Sequence, residues 1–161
     1  MNDRDELSDA TAAGIDARAR DRDRTLAAAH ELEAALSAAA PGRERRWRQR
    51  VLDALQALDL ATADEDANAG RPDSLLSHIA RNEPRLRHRV HGLHTQYRHV
   101  RDVIVALERE LGAADSLEVA DLRQRISWVL DALRYHRGRE ADLIYEAIAV
   151  ADRDANPPST P

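Results

Sequence analysis

Apolar residues recur every three or four positions along most of the chain, which is the spacing of amphipathic α-helices. The pattern predicts four long helices over about 22–40, 43–66, 84–111 and 115–155, and a short helix from Leu75 to about Arg81. Four amphipathic helices joined by short connections predict an all-α fold, an antiparallel up-down four-helix bundle with the short helix before the third. The clearest stripe, on the third helix, comprises Leu86, Val90, Leu93, Tyr97, Val100, Ile104, Leu107 and Leu111.

The ends of the chain differ in composition from the helical part. Residues 1–22 are dense in Asp and Arg and poor in apolar residues, so we expect a disordered or frayed N-terminal segment. Residues 23–155 form the predicted bundle, and residues 156–161 form a Pro-rich tail. Within the bundle, Asp73 or Ser74 is expected to cap the short helix.

Composition excludes several classes of protein. The chain has no Lys, Phe or Cys, so all 24 basic residues are Arg, and disulfides, thiolate ligands and cysteine nucleophiles are excluded. No apolar run approaches the ~18 residues of a membrane span, and the first six residues do not resemble a secretory signal. We therefore expect a soluble cytoplasmic protein that does not bind a membrane. A net charge of −5, with Arg clusters that lie beside acidic clusters in the predicted bundle, argues against nucleic acid as a partner.

The last helix carries two polar residues in its apolar stripe. His136 and Glu140 are four residues apart, so they lie one turn from each other on the same face. Burial of an imidazole beside a carboxylate requires a compensating partner. A metal ion suits both groups, although they could also bond each other or a polar residue of a facing helix. The stripe reads Val119, Leu122, Ile126, Val129, Leu133, His136, Glu140, Leu143, Ala147 and Val150.

The other long helices each offer an inward donor. His30 borders the stripe of the first helix, Glu65 extends that of the second, and His94 lies beside the stripe position of Tyr97 on the third. Donors that converge from several helices are how metal sites are built inside bundles, and histidine with carboxylate and no sulfur suits iron, manganese or zinc. The histidines expected to face solvent are His88, His91 and His99. The candidate metal ligands are His30, Glu65, His94, His136 and Glu140.

The chain resembles the hemerythrin-like family of non-haem di-iron bundles in three places. They are the lone His30, the connection Gly70–Leu76 before Pro84-Arg85-Leu86, and the run His136-Arg137-Gly138-Arg139-Glu140-Ala141-Asp142-Leu143-Ile144-Tyr145-Glu146-Ala147. The resemblance covers about residues 24–152. It implies iron inside the bundle and the binding or sensing of dioxygen, nitric oxide or redox state.

The ligand pattern of that family is only partly present. His30 matches its first-helix histidine, Glu65 its second-helix carboxylate, and His136 with Glu140 its fourth-helix pair. The second-helix histidine position falls on Ala61, and the third helix has no histidines four residues apart. The resemblance therefore implies a reduced or altered site, mononuclear or dinuclear.

A metal-free bundle that acts as a protein interaction module is the alternative. Trp128, Tyr135 and Asp142 recur every seven residues on the last helix, outside its main stripe, which suggests a homodimer or a helical partner. These residues could instead pack against residues 1–22 or the short helix. A nucleophile with an adjacent base and a Gly-rich phosphate loop are both missing from the sequence, so an ordinary hydrolase or nucleotide-dependent enzyme has no support.

Overall fold

The computed structural model describes the backbone of residues 3–38, 42–113 and 118–155 and the side chains of residues 12–38, 42–113 and 118–151. Within these ranges the chain is all-α, as the sequence predicts, and contains no strand. None of the helices in the described ranges is long and apolar enough to cross a membrane. The helices are α1 (Asp3–Ser37), α2 (Glu44–Ala69), α3 (Leu75–Asn82), α4 (Arg87–Ala113) and α5 (Val119–Ala155).

The largest departure from the sequence prediction is the length of α1. The segment 1–22, expected to be disordered or frayed, is helical from Asp3 onward. Its inward positions include Arg18 and Asp21, both buried, so this part of the helix has no apolar stripe for a sequence pattern to reveal. The expected start of the last helix at residue 115 and the Pro-rich tail lie outside the described residues.

The apolar stripes are largely where the sequence places them. All eight positions of the stripe predicted for the third helix are buried, seven of them in α4 and the eighth, Leu86, just before it. The stripe of α5 is buried from Leu122 to Ala147. The prediction was wrong at Val119, which is 36% exposed in the first turn of α5. Ser74, one of the two expected caps, accepts a hydrogen bond from the backbone N–H of Ser77 at 3.1 Å and so caps α3.

Buried apolar residues form two separate clusters. The larger lies around Leu32, Leu55, Ile104 and Ile126. The smaller lies around α3 and is composed of Ala69, Leu75, Leu76, Ile79, Leu86, Val90, Leu93, Leu143 and Ala147. On α2 and α5 the residues between the two clusters are polar, and we call this level of the structure the polar layer. The polar layer comprises Arg18, Thr25, Glu65, Tyr97, His136 and Glu140.

Side-chain hydrogen bonds join neighbouring helices at their ends. Nε1 of Trp47, in the first turn of α2, donates to the carbonyl of Ala35 near the end of α1 at 3.0 Å. The guanidinium of Arg125 on α5 donates to the carboxylate of Glu110 on α4 at 2.5 Å and 2.9 Å. These bonds fix which ends of the helices lie together.

Candidate functional site

The polar layer is a buried site to which four helices contribute. Arg18 comes from α1, Glu65 from α2, Tyr97 from α4, and Glu140 from α5. Each is at least 93% buried, since the most exposed of the four, Arg18, has a relative exposure of 7%. Each occupies a position where its helix turns toward the core, so the burial follows from helical spacing.

Arg18 joins the two buried carboxylates. Its Nε donates to Oε1 of Glu140 at 2.6 Å and its Nη2 to Oε2 of the same carboxylate at 2.5 Å, a two-bond fork. Nη2 also lies 3.1 Å from Oε1 of Glu65, and Nη1 donates to the Glu65 backbone carbonyl at 3.4 Å. The guanidinium therefore lies between α2 and α5 and compensates both acids.

Glu65 is held by two further donors. Its Oε2 accepts a hydrogen bond from the Thr25 hydroxyl at 2.5 Å and another from the Tyr97 hydroxyl at 2.6 Å. Burial, together with the charge and the hydrogen bond of Glu65, raises the pKa of Tyr97 well above its ordinary value. The tyrosine therefore acts as a hydrogen-bond donor and orients the carboxylate.

His136 lies beside Glu140 and Tyr97. Its Nε2 is 3.6 Å from Oε2 of Glu140, and its ring centroid is 4.7 Å from that of Tyr97. Its Nδ1 has no hydrogen-bond partner among the described residues. Burial alone would raise the pKa of Glu140, but its interactions with His136 and Arg18 lower this pKa to about 2. Glu140 is thus a carboxylate, and the acidic partner in a buried ion pair.

The structure separates the five predicted ligands. Glu65, His136 and Glu140 meet in the polar layer, as expected of inward donors. His30 is exposed, because Ala29 and Leu32 occupy the inward positions of α1. Consecutive residues of a helix differ by about 100° in direction, so His30 faces away from the side on which Ala29 is buried. His94 is half-buried, and burial is the largest cause of its lowered pKa. His30 faces solvent, so the expectation that it joins this site was wrong. His94 lies near enough to the polar layer for the charge of Arg18 to contribute to lowering its pKa, and its role as a ligand stays a prediction.

The residues of the polar layer do not fit a metal ion. In the part of the chain that the structure describes, no three His, Asp or Glu side chains are grouped so that they could hold one. The oxygens of Glu65 and Glu140 accept bonds from Arg18, Thr25 and Tyr97 instead. The cation that compensates the buried Glu140 is a guanidinium, and His136 lies against the same carboxylate.

Sequence reasoning missed Arg18 and Thr25. The two residues are seven positions apart, and Leu32 follows seven positions later, so all three lie on one face of α1. Extension of the α1 stripe backward from Leu32 in steps of seven reaches both residues. This spacing was the available signal, and the polar character of both residues concealed it.

A cleft of about 710 Å³ adjoins the polar layer, between α1, the end of α2 and the start of α3. Its lining includes Gly14, Arg18, Asn68 and Leu75. On the same side the buried carboxylate of Asp21 accepts hydrogen bonds from Nδ2 of Asn68, both at 3.2 Å. Arg18 both lines this cleft and bonds to the two buried carboxylates, which are not among the residues that line it.

The seven-residue repeat on α5 lies at the surface. Trp128 is 46% exposed and Tyr135 is 61% exposed. The ring centroids of His99 on α4 and Trp128 are 6.0 Å apart with the rings nearly perpendicular, and the guanidinium of Arg139 lies 5.8 Å from the Tyr135 ring centroid. We call Trp128 and Tyr135 the aromatic strip.

No protein-family model matches the chain, and comparison with curated proteins and with solved structures gives no significant match.

Proposed function

We propose that this protein is a metal-free helical scaffold, similar in layout to the hemerythrin-like bundles, which acts by binding another protein through α5. The observation that carries the proposal is the guanidinium of Arg18 between the carboxylates of Glu65 and Glu140. It occupies the place where the resemblance implies a metal. Because both carboxylates already bind the guanidinium of Arg18, the interior of the bundle has a structural role. The function is then assigned to the surface of the bundle.

Contacts between helix ends support an up-down arrangement of α1, α2, α4 and α5. The end of α1 meets the start of α2 through Trp47, and the end of α4 meets the early part of α5 through Arg125. Arg123, near the start of α5, donates to the Leu36 carbonyl near the end of α1 at 3.3 Å. Arg48 near the start of α2 donates to the Leu111 carbonyl near the end of α4 at 3.3 Å. Each pair is the one expected of antiparallel neighbours.

Electrostatics supports the metal-free assignment. A divalent ion bound to Glu65 or Glu140 would lie within about 4 Å of the Arg18 guanidinium, where even two unit charges repel by about 4 kcal/mol at an effective dielectric constant of 20. Thr25 and Tyr97 also direct their hydroxyl protons at Glu65, which further reduces its capacity as a ligand. A metal ion would have to displace Arg18 from its two hydrogen bonds to the Glu140 carboxylate.

The aromatic strip supports the interaction role. Aromatic residues are enriched at protein interfaces because they combine large apolar area with polar groups. Trp128 and Tyr135 lie two turns apart on one face of α5, which is the spacing at which a helix presents side chains to a partner helix. A second copy of the chain or another helical protein would cover this face.

Metal analysis tests the metal-free assignment. We expect protein purified after growth with iron and manganese to carry far less than one metal ion per chain, because Arg18 compensates the carboxylates. Elemental analysis by mass spectrometry and the visible absorption spectrum provide the measurement. Near-stoichiometric iron in the wild-type chain, lost on His136→Ala substitution, would contradict the proposal.

Substitution of the aromatic strip tests the interaction role. We expect Trp128→Ser with Tyr135→Ser to abolish association, and to lower the free energy of unfolding by about 2 kcal/mol, chiefly from the buried half of Trp128, which leaves the chain folded. Sedimentation measures self-association, and a photo-crosslinking residue placed at position 135 detects a different protein partner. Tyr145→Ser is the matched control, since Tyr145 is a 76% exposed tyrosine of the same helix outside the strip. A wild-type chain that neither self-associates nor crosslinks specifically at position 135 would refute this role.

A further inference from the structure

We infer that the polar layer is a binding site for a guanidinium group, which Arg18 fills from within the chain and which an alkylguanidinium or the arginine of another chain can fill when Arg18 is removed. The inference rests on the proposed metal-free state of the same site. It goes beyond that proposal by naming the class of ligand, a guanidinium ion, which the geometry of the two carboxylates selects.

The acceptors match the shape of a guanidinium. A guanidinium is planar and directs five N–H donors outward in fixed directions. The Glu140 carboxylate accepts bonds from Nε and Nη2 along one edge of the guanidinium. Oε1 of Glu65 lies 3.1 Å from Nη2, and the Glu65 backbone carbonyl accepts a bond from Nη1. An ammonium ion has no planar fork, so it cannot satisfy both edges at once.

The surrounding residues hold these acceptors in place without the help of Arg18. Thr25 and Tyr97 both donate to Oε2 of Glu65, which leaves Oε1 directed at the guanidinium. His136 lies against Glu140, and its ring packs on Tyr97. A site whose acceptors are fixed in advance loses little conformational entropy when a ligand enters, which favours binding.

The cleft beside α1 offers a route of entry. Arg18 contributes to its wall, together with Gly14, Asn68 and Leu75. Truncation of Arg18 to alanine would remove the side chain that lines the cleft and contacts Glu65 and Glu140. The atoms removed beyond Cβ correspond to an ethylguanidinium ion, which therefore has the size needed to restore the missing contacts.

The test is a titration of the full-length Arg18→Ala variant with ethylguanidinium, ethylammonium and Mn²⁺. We expect ethylguanidinium to bind one ion per chain by calorimetry and to raise the Tm, with an affinity at least about tenfold above that of ethylammonium. The wild-type chain should show neither binding nor a rise in Tm, because Arg18 already fills the site. A short peptide with one arginine, in place of ethylguanidinium, tests whether an arginine of another chain also enters.

The matched control is Arg18→Ala with Glu140→Gln, which removes the two-bond acceptor and should weaken ethylguanidinium binding at least about tenfold. If Arg18→Ala does not fold in buffer, recovery of helical circular dichroism on addition of ethylguanidinium, and not of ethylammonium, supports the inference equally. Preference for Mn²⁺, or the absence of binding to a folded variant, overturns it. Metal in the wild-type chain would instead refute the proposed function, so the two failures are distinguishable.

Discussion

Arg18→Met is expected to lower the free energy of unfolding by about 3 to 5 kcal/mol, the usual cost when one partner of a buried ion pair is removed. Methionine replaces most of the volume of arginine, so the loss is chiefly electrostatic. With Arg18 absent, the carboxylates of Glu65 and Glu140 both remain buried with no cation between them. Urea denaturation at neutral pH, followed by far-ultraviolet circular dichroism, measures the effect.

Glu140→Gln is the matched control for this experiment. It removes one negative charge from a site that holds one guanidinium and two carboxylates, and it leaves Arg18 paired with Glu65 at 3.1 Å. We therefore expect a smaller loss of stability from Glu140→Gln than from Arg18→Met. Glutamine keeps one oxygen acceptor for Arg18 and leaves no buried carboxylate without a cation, whereas Arg18→Met removes the bonds to both Glu140 and Glu65 and leaves both carboxylates unpaired. Equal losses would contradict the electrostatic account.

The sequence predicted the apolar part of the fold well, because its signal is periodic and local. The stripe predicted for the third helix, from Leu86 to Leu111, is buried at every expected position, and His136 and Glu140 are buried within the stripe of α5. The need for a compensating partner beside the two polar residues was also predicted, from the cost of burying them. Each of these predictions depends only on spacing within one helix.

The identity of the cation could not be predicted in the same way. Arg18 is 122 positions from Glu140, within a segment whose many charged residues predict disorder. Arginine is ordinarily solvent-exposed, so an inward arginine is indistinguishable from its neighbours in the sequence until a partner is identified. The tertiary contact that buries Arg18 also explains why α1 continues beyond the expected start of the first helix.

His30 illustrates the opposite error. A histidine beside an apolar stripe suits the hemerythrin-like resemblance, which assigned it an inward role. One step along a helix turns a side chain by about 100°, so Ala29 faces the core while His30 faces solvent. Whether a residue at the border of a stripe faces the core or solvent can be predicted only when the centre of the stripe is known. The inward polar residues of α1 made that centre difficult to locate from the sequence.

Acid is expected to remove the stabilisation that Glu140 provides. Its pKa is about 2 in the folded protein and 4.5 in the reference state, so the carboxylate contributes about 3 kcal/mol to the free energy of unfolding when it is ionised in both states. Because the folded pKa is the lower one, this contribution is complete above pH 4.5 and is lost as the pH falls toward 2. Urea denaturation at a series of pH values across this interval measures the loss.

Glu140→Gln separates this effect from the titration of surface carboxylates. Asp73 and Glu110 also have lowered pKa values, because Arg71 and Arg125 donate hydrogen bonds to them, but both carboxylates are exposed and are present in wild type and variant alike. The difference between the two stability curves therefore reports Glu140, and it should decrease between pH 4.5 and 2. Salt should change this difference little, since screening acts mainly on exposed pairs. A difference that is independent of pH would show that Glu140 is not an ionised partner of Arg18.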